Sequence, residues 1–92
     1  MRQLTDRDLD EIRARYKAAT PGPWKYMVEG RDHTSGDSFI MRGTKGDRHP
    51  DLYLSADGKP ATDADCDFVA SARQDVPRLL EEIDRLRKGN SR

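Results

Sequence analysis

One cysteine stands in a chain of 92 residues. A lone Cys66 excludes an internal disulfide and a cysteine-built zinc site. Apolar residues are few, at 34%, where average soluble domains hold roughly 45–50% with glycine counted. Aromatic residues make up 7%, with a single tryptophan. No run of about 18 apolar residues is available to span a membrane. Met1–Asp6 leads directly into charge with no apolar stretch behind it, so no secretory signal is expected. Net charge is also missing: 17 basic side chains meet 17 acidic ones. Nucleic-acid binding draws on a basic excess that displaces counterions, so a neutral chain is a poor candidate for it. No glycine-rich phosphate loop, nucleophile elbow or metal-ligand spacing occurs. The expectation is a protein that is not an enzyme and carries no cofactor or metal.

A domain this small buries only a little over 60% of its unfolded surface, and small scaffolds often complete a core with a metal, disulfides or a partner chain. With the first two unavailable, self-association is the expected remedy, and a homo-oligomer is the expected state.

What the chain does hold is 37% charged residues, balanced segment by segment, and apolar residues grouped by period. Residues 5–18 read as a helix. Thr5 and Asp8 have capping-box spacing, and Leu9, Ile12, Tyr16 and Ala19 form one apolar stripe. Pro21 ends it, and the Pro21-Gly22-Pro23 turn aims Trp24 in a set direction. Residues 24–59 read as a β-meander. Trp24, Tyr26 and Val28, then Phe39 and Met41, then Leu52 and Leu54 mark three alternating runs. Gly30–Asp37 and Gly43–Pro50 are expected to be long loops. Residues 62–88 read as helical, with Thr62 as cap. Pro77 interrupts the pattern, so a kink or a break near Gln74-Asp75 is expected, followed by a frayed tail at 89–92. The expected fold is one α+β domain over 1–92: an N-terminal helix, a three-stranded antiparallel meander and a long C-terminal helix, kinked or broken near Asp75–Pro77.

Five side chains are candidates for gripping an anionic ligand. Arg73 sits among small residues on the last helix, where a guanidinium can give a phosphate or carboxylate two donors, or else form an ion pair with Asp63–Asp67 or with the first helix. Arg42, Lys45 and Arg48 fall on the expected loops. Trp24 is a stacking platform or a core anchor, and the second role suits a small core better. Val76, Leu79, Leu80, Ile83 and Leu86 make a narrow apolar stripe flanked by charges, the expected oligomer seam. His33 and His49 read as solvated loop histidines; nothing orients them for metal binding or proton transfer. Cys66 has no basic neighbour and reads as a small buried hydrophobe.

Ala18-Ala19-Thr20-Pro21-Gly22-Pro23-Trp24 and Asp65-Cys66-Asp67-Phe68-Val69-Ala70-Ser71-Ala72-Arg73-Gln74-Asp75-Val76-Pro77-Arg78-Leu79-Leu80 carry a resemblance. The chain resembles a broad group of small phage and prophage proteins with an opening helix, this turn, a variable β middle and this closing helix. The group includes early accessory proteins of lambdoid phages and proteins of actinobacterial phages. The resemblance covers residues 4–24 and 62–87 and assigns no activity to any residue. It implies a phage origin, expression in the bacterial cytoplasm and a role in managing the host. The expected function is binding that counters a host defence, most concretely by sequestering a nucleotide second messenger. The alternatives are a protein–protein inhibitor of a host factor and, third, a weak nucleic-acid-binding accessory protein.

Overall fold

The computed structural model of the chain describes residues 3–32 and 36–90. Helix α1 spans Asp6–Ala18. Its start follows the capping box: the Thr5 hydroxyl accepts the Asp8 N–H at 3.0 Å, and the Asp8 carboxylate accepts the Thr5 N–H at 2.9 Å. Three strands follow, β1 (Trp24–Met27), β2 (Phe39–Thr44) and β3 (Asp47–Leu52), forming one antiparallel sheet in the order β1-β2-β3. A two-residue-strand hairpin, β4 (Ser55–Ala56) and β5 (Lys59–Pro60), stands apart from that sheet. Helix α2 (Asp63–Asn90) closes the chain. This is the α+β meander with two helices that the hydrophobic periods predict.

Three details differ from the sequence expectation. Gly43–Pro50 is not a loop; β2 and β3 meet across Lys45-Gly46, and most of the segment is strand. Gly43 makes this possible: its φ is +94°, and a Cβ there would sit 2.3 Å from the Asp47 carbonyl oxygen. The register shifts between Ile40 and Arg42, so two residues of β3 oppose one of β2, a bulge that accommodates Pro50 on an edge strand. Leu54 lies beyond β3, and Asp57-Gly58 turns the β4–β5 hairpin with both φ values positive, 54° and 78°. Finally, α2 runs unbroken through Pro77 and on to Asn90. The ring only deprives the Arg73 carbonyl of its intrahelical donor.

Two small apolar contacts hold the elements together. Tyr26 and Ile40 from the sheet pack on Cys66 and Ala70 of α2, with Trp24, Val28, Leu52 and Val69 around them. Leu9 of α1 and Leu80 of α2 are the other buried large side chains. α1 lies antiparallel on α2, with Arg13 on Asp84 at 3.0 Å and Arg87 on Asp6 at 2.5 Å. Among the described residues α1 touches no element but α2, and the sheet meets α2 independently. The molecule is long, 55 × 33 × 22 Å, with a radius of gyration of 16.4 Å. A compact chain of this length would have about 12 Å. No helix among the described residues is long and apolar enough to cross a membrane.

Candidate functional site

Antiparallel packing of α1 on α2 leaves an open cleft of about 290 Å³ beside the proline turn. Ile12, Tyr16 and Ala19 of α1 line one wall, and Val69, Ala72 and Val76 of α2 line the other. Trp24 closes one end, and Arg15 and Arg73 are the two charged side chains in the lining. No carboxylate, histidine, cysteine or hydroxyl-bearing serine or threonine lines it. The cleft is therefore locally cationic within a neutral chain.

The turn fixes these groups. The Thr20 carbonyl accepts both the Trp24 indole N–H at 3.1 Å and the Arg73 Nε–H at 2.9 Å. Arg73 lies over the Tyr16 ring, 5.5 Å from its centroid, and Arg42 lies over the Trp24 ring at the same distance. Arg42 is anchored further by Nε to the Pro50 carbonyl at 2.9 Å and Nη1 to the Thr20 hydroxyl at 3.0 Å. Gly22 approaches α2 closely enough that a Cβ there would lie 3.4 Å from both the Arg73 Cγ and the Gln74 Oε1.

Gln74 is the residue that sequence reasoning missed. Its Oε1 accepts the Trp24 N–H at 2.8 Å, and its Nε2 donates to the Trp24 carbonyl at 3.1 Å and the Ala70 carbonyl at 3.0 Å. A side-chain amide has the donor and acceptor of a peptide unit, so Gln74 acts as one more rung on the open edge of β1. Only the residue type and its place in the closing-helix motif hinted at this; a contact 50 positions away has no local signature.

The structure thus gathers Trp24 and Arg73 at the cleft, with Arg42 stacked behind Trp24. Lys45 lies in the β2–β3 turn. Arg48 pairs with Asp51 at 2.7 Å and lies over the Phe39 ring at 6.0 Å, so neither lines the cleft. Arg73 makes its bond to Thr20 rather than to Asp63–Asp67. Trp24 is half-buried against the core and lines the cleft. His49 sits half-buried in β3 opposite Arg42, not in a loop, and His33 lies outside the described residues. No group of three or more metal-ligating side chains occurs among the described residues.

The expected seam divides between two faces of α2. Leu80 is buried, Val76 lines the cleft and Ile83 is half-buried, whereas Leu79 and Leu86 face solvent. Cys66 is buried in the core. Beside it the Tyr26 hydroxyl donates to the Asp63 carboxylate at 2.6 Å. That bond, and then burial, pushes the Tyr26 phenol up to about 12. A larger concavity of about 650 Å³ runs along the outer side of α2. Asp75, Arg78, Glu81, Glu82 and Arg85 line it with Leu79, and Arg85 is paired with Glu82. Its three carboxylates outnumber its two guanidiniums, so it does not favour an anion. Comparison with known protein families, with curated proteins and with solved structures finds no match to this chain.

Proposed function

We propose that this chain is a non-enzymatic binding protein whose α1–α2 cleft takes a small planar anion, most concretely a nucleotide second messenger that it sequesters. The observation that carries this reading is the cleft itself: apolar walls, two aromatic rings and two arginines with no carboxylate among them. Of the five N–H donors on Arg73, Nε is spent on Thr20, and the terminal nitrogens supply the donors a phosphate needs. A volume of about 290 Å³ suits a mononucleotide better than a dinucleotide. The lining holds no nucleophile or carboxylate base, which supports retention rather than turnover of the ligand. The resemblance of residues 4–24 and 62–87 to small phage proteins supports the setting, a protein that counters a host defence in the bacterial cytoplasm.

Titration calorimetry against linear and cyclic mononucleotides tests it. At roughly −0.3 kcal/mol per non-hydrogen atom, a ligand of about 22 such atoms reaches a Kd near 10 µM. Arg15→Ala removes an exposed rim cation with no packing role, so affinity falls about tenfold while Tm stays put. No heat and no Tm shift with any mononucleotide would sink the reading. The alternative, a protein–protein inhibitor of a host factor, uses the same cleft to seat an apolar side chain. A stoichiometric host protein in a pull-down, lost on Trp24→Ala, favours that alternative.

A further inference from the structure

Helix α2 carries an apolar line whose large side chains are left exposed among the described residues. Phe68 is 76% exposed, Leu79 61% and Leu86 50%. Eighteen residues make about five helical turns, so Phe68 and Leu86 share one azimuth, and Leu79 lies about 20° from it. Ala72, Asp75 and Glu82 complete a 4-3-4-3-4 spacing along that line, the spacing of a helix–helix seam. Phe68, Leu79 and Leu86 point away from α1 and from the sheet, both of which use the side of α2 that holds Cys66, Ala70 and Leu80, and Ala72, which also lines the cleft, marks the edge of the line.

We propose that this line is a homodimer interface in which α2 packs antiparallel on α2 of a second copy, independently of any ligand in the cleft. Three observations name a second copy as the occupant. The first is area. A folded monomer of 10.5 kDa exposes about 5,400 Å², whereas this chain exposes 7,262 Å². The surplus exceeds the roughly 800 Å² that each partner contributes to a standard interface. The second is charge. Residues 63–67 hold three acidic side chains and no basic one, and residues 85–90 hold three basic and no acidic. Asp63 already holds the Tyr26 hydroxyl, Arg85 pairs with Glu82 and Arg87 with Asp6, so antiparallel pairing adds attraction between the acidic end of each helix and the basic end of the other, and opposes the two helix dipoles, without needing new ion pairs. The zero net charge removes bulk repulsion between copies. The third is self-complementarity. With the two-fold axis beside Pro77, Phe68 meets Leu86 of the second copy twice over, and Leu79 meets the stem of Asp75. Asp75 and Glu82 at the seam disfavour other registers, as single polar seam positions do in coiled coils.

Sedimentation of the intact chain is expected to give a particle of twice the monomer mass at concentrations on the order of 100 µM, dissociating on dilution. Leu79→Glu is expected to weaken the dimer about 30-fold or more, as loss of a central anchor does. Because Leu79 touches little in the monomer, the variant keeps its circular dichroism and its dilute-solution Tm. Orientation is read by mixing Phe68→Cys and Leu86→Cys chains under mild oxidation: the mixed pair cross-links and neither alone does. A wild-type monomer at about 100 µM overturns the proposal and leaves the line to a foreign helix. A dimer that survives Leu79→Glu overturns it too, and cross-linking of Phe68→Cys with itself overturns the antiparallel order.

Discussion

The Thr20 carbonyl is shared by an indole N–H from β1 and a guanidinium from α2, so one backbone oxygen sets the distance between Trp24 and Arg73. Tyr26 occupies the matching place in the core, where its hydroxyl donates to Asp63. Its phenol is held up near 12, while an unfolded tyrosine ionises near 10. The contribution to stability is therefore complete below about pH 10 and is lost as pH rises toward 12, because only the unfolded state sheds the proton there. Tyr26→Phe is expected to cost about 1 kcal/mol at neutral pH, the net value of one hydrogen bond. Between pH 10 and 12 the wild type alone loses a further amount on the order of 2 kcal/mol, so the order of the two proteins reverses. Urea midpoints at neutral and high pH read the crossover. At this scale the sequence was legible where chemistry is local. The Thr5–Asp8 box and a buried Cys66 follow from spacing and neighbours. Arg73 over Tyr16 and the Gln74 amide on Trp24 join residues more than 49 positions apart, and no local pattern encodes them.

Among the elements, β1 is an edge strand whose outer side meets α2. Gln74 supplies what a further strand would. Gln74→Leu removes three hydrogen bonds and leaves the half-buried N–H and C=O of Trp24 without them. The expected loss is about 2–3 kcal/mol, with red-shifted tryptophan emission as the ring loosens. Gln74→Glu keeps an acceptor for the Trp24 N–H and is expected to lose about half as much. Element type was legible in both helices and in β1, where the periods are strong; in β2 the alternation singled out Phe39 and Met41 although Ile40 is the fully buried residue, β3 begins at Asp47 inside an expected loop, and the β4–β5 hairpin was not expected. Boundaries failed where glycine decides. Gly43-Thr44-Lys45-Gly46 reads as a loop, yet a positive φ at Gly43 lets the strand continue into a tight connection. Asp57-Gly58 is a standard two-residue hairpin signal with its own physical reason and was available in the sequence. Pro77 was overweighted: one missing donor does not break a helix whose Val76 and Leu80 are held by tertiary contacts.

For the molecule as a whole, the low apolar content turns into length. Six apolar side chains are buried among the described residues, and they sit in contacts strung along α2 rather than in one centre. Small-angle scattering on the Leu79→Glu chain, or on the wild type at high dilution, is expected to give a radius of gyration near 16 Å. A value near 12 Å would mean that the end of α2 folds back over the sheet. This extension was not legible, since composition limits how much is buried but not where. One consequence follows from α1 and the sheet each meeting α2 without meeting one another. The β segment is a cassette. It leaves the helical hairpin at Trp24 and returns at Thr62, and its hold on α2 is gathered at the Asp63 end: Tyr26 and Ile40 on Cys66 and Ala70, Tyr26 on Asp63 and Trp24 on Gln74. The Arg13–Asp84 and Arg87–Asp6 pairs at the other end involve none of these residues, so changes confined to the β2–β3 turn and β3 are expected to leave α1 seated on α2.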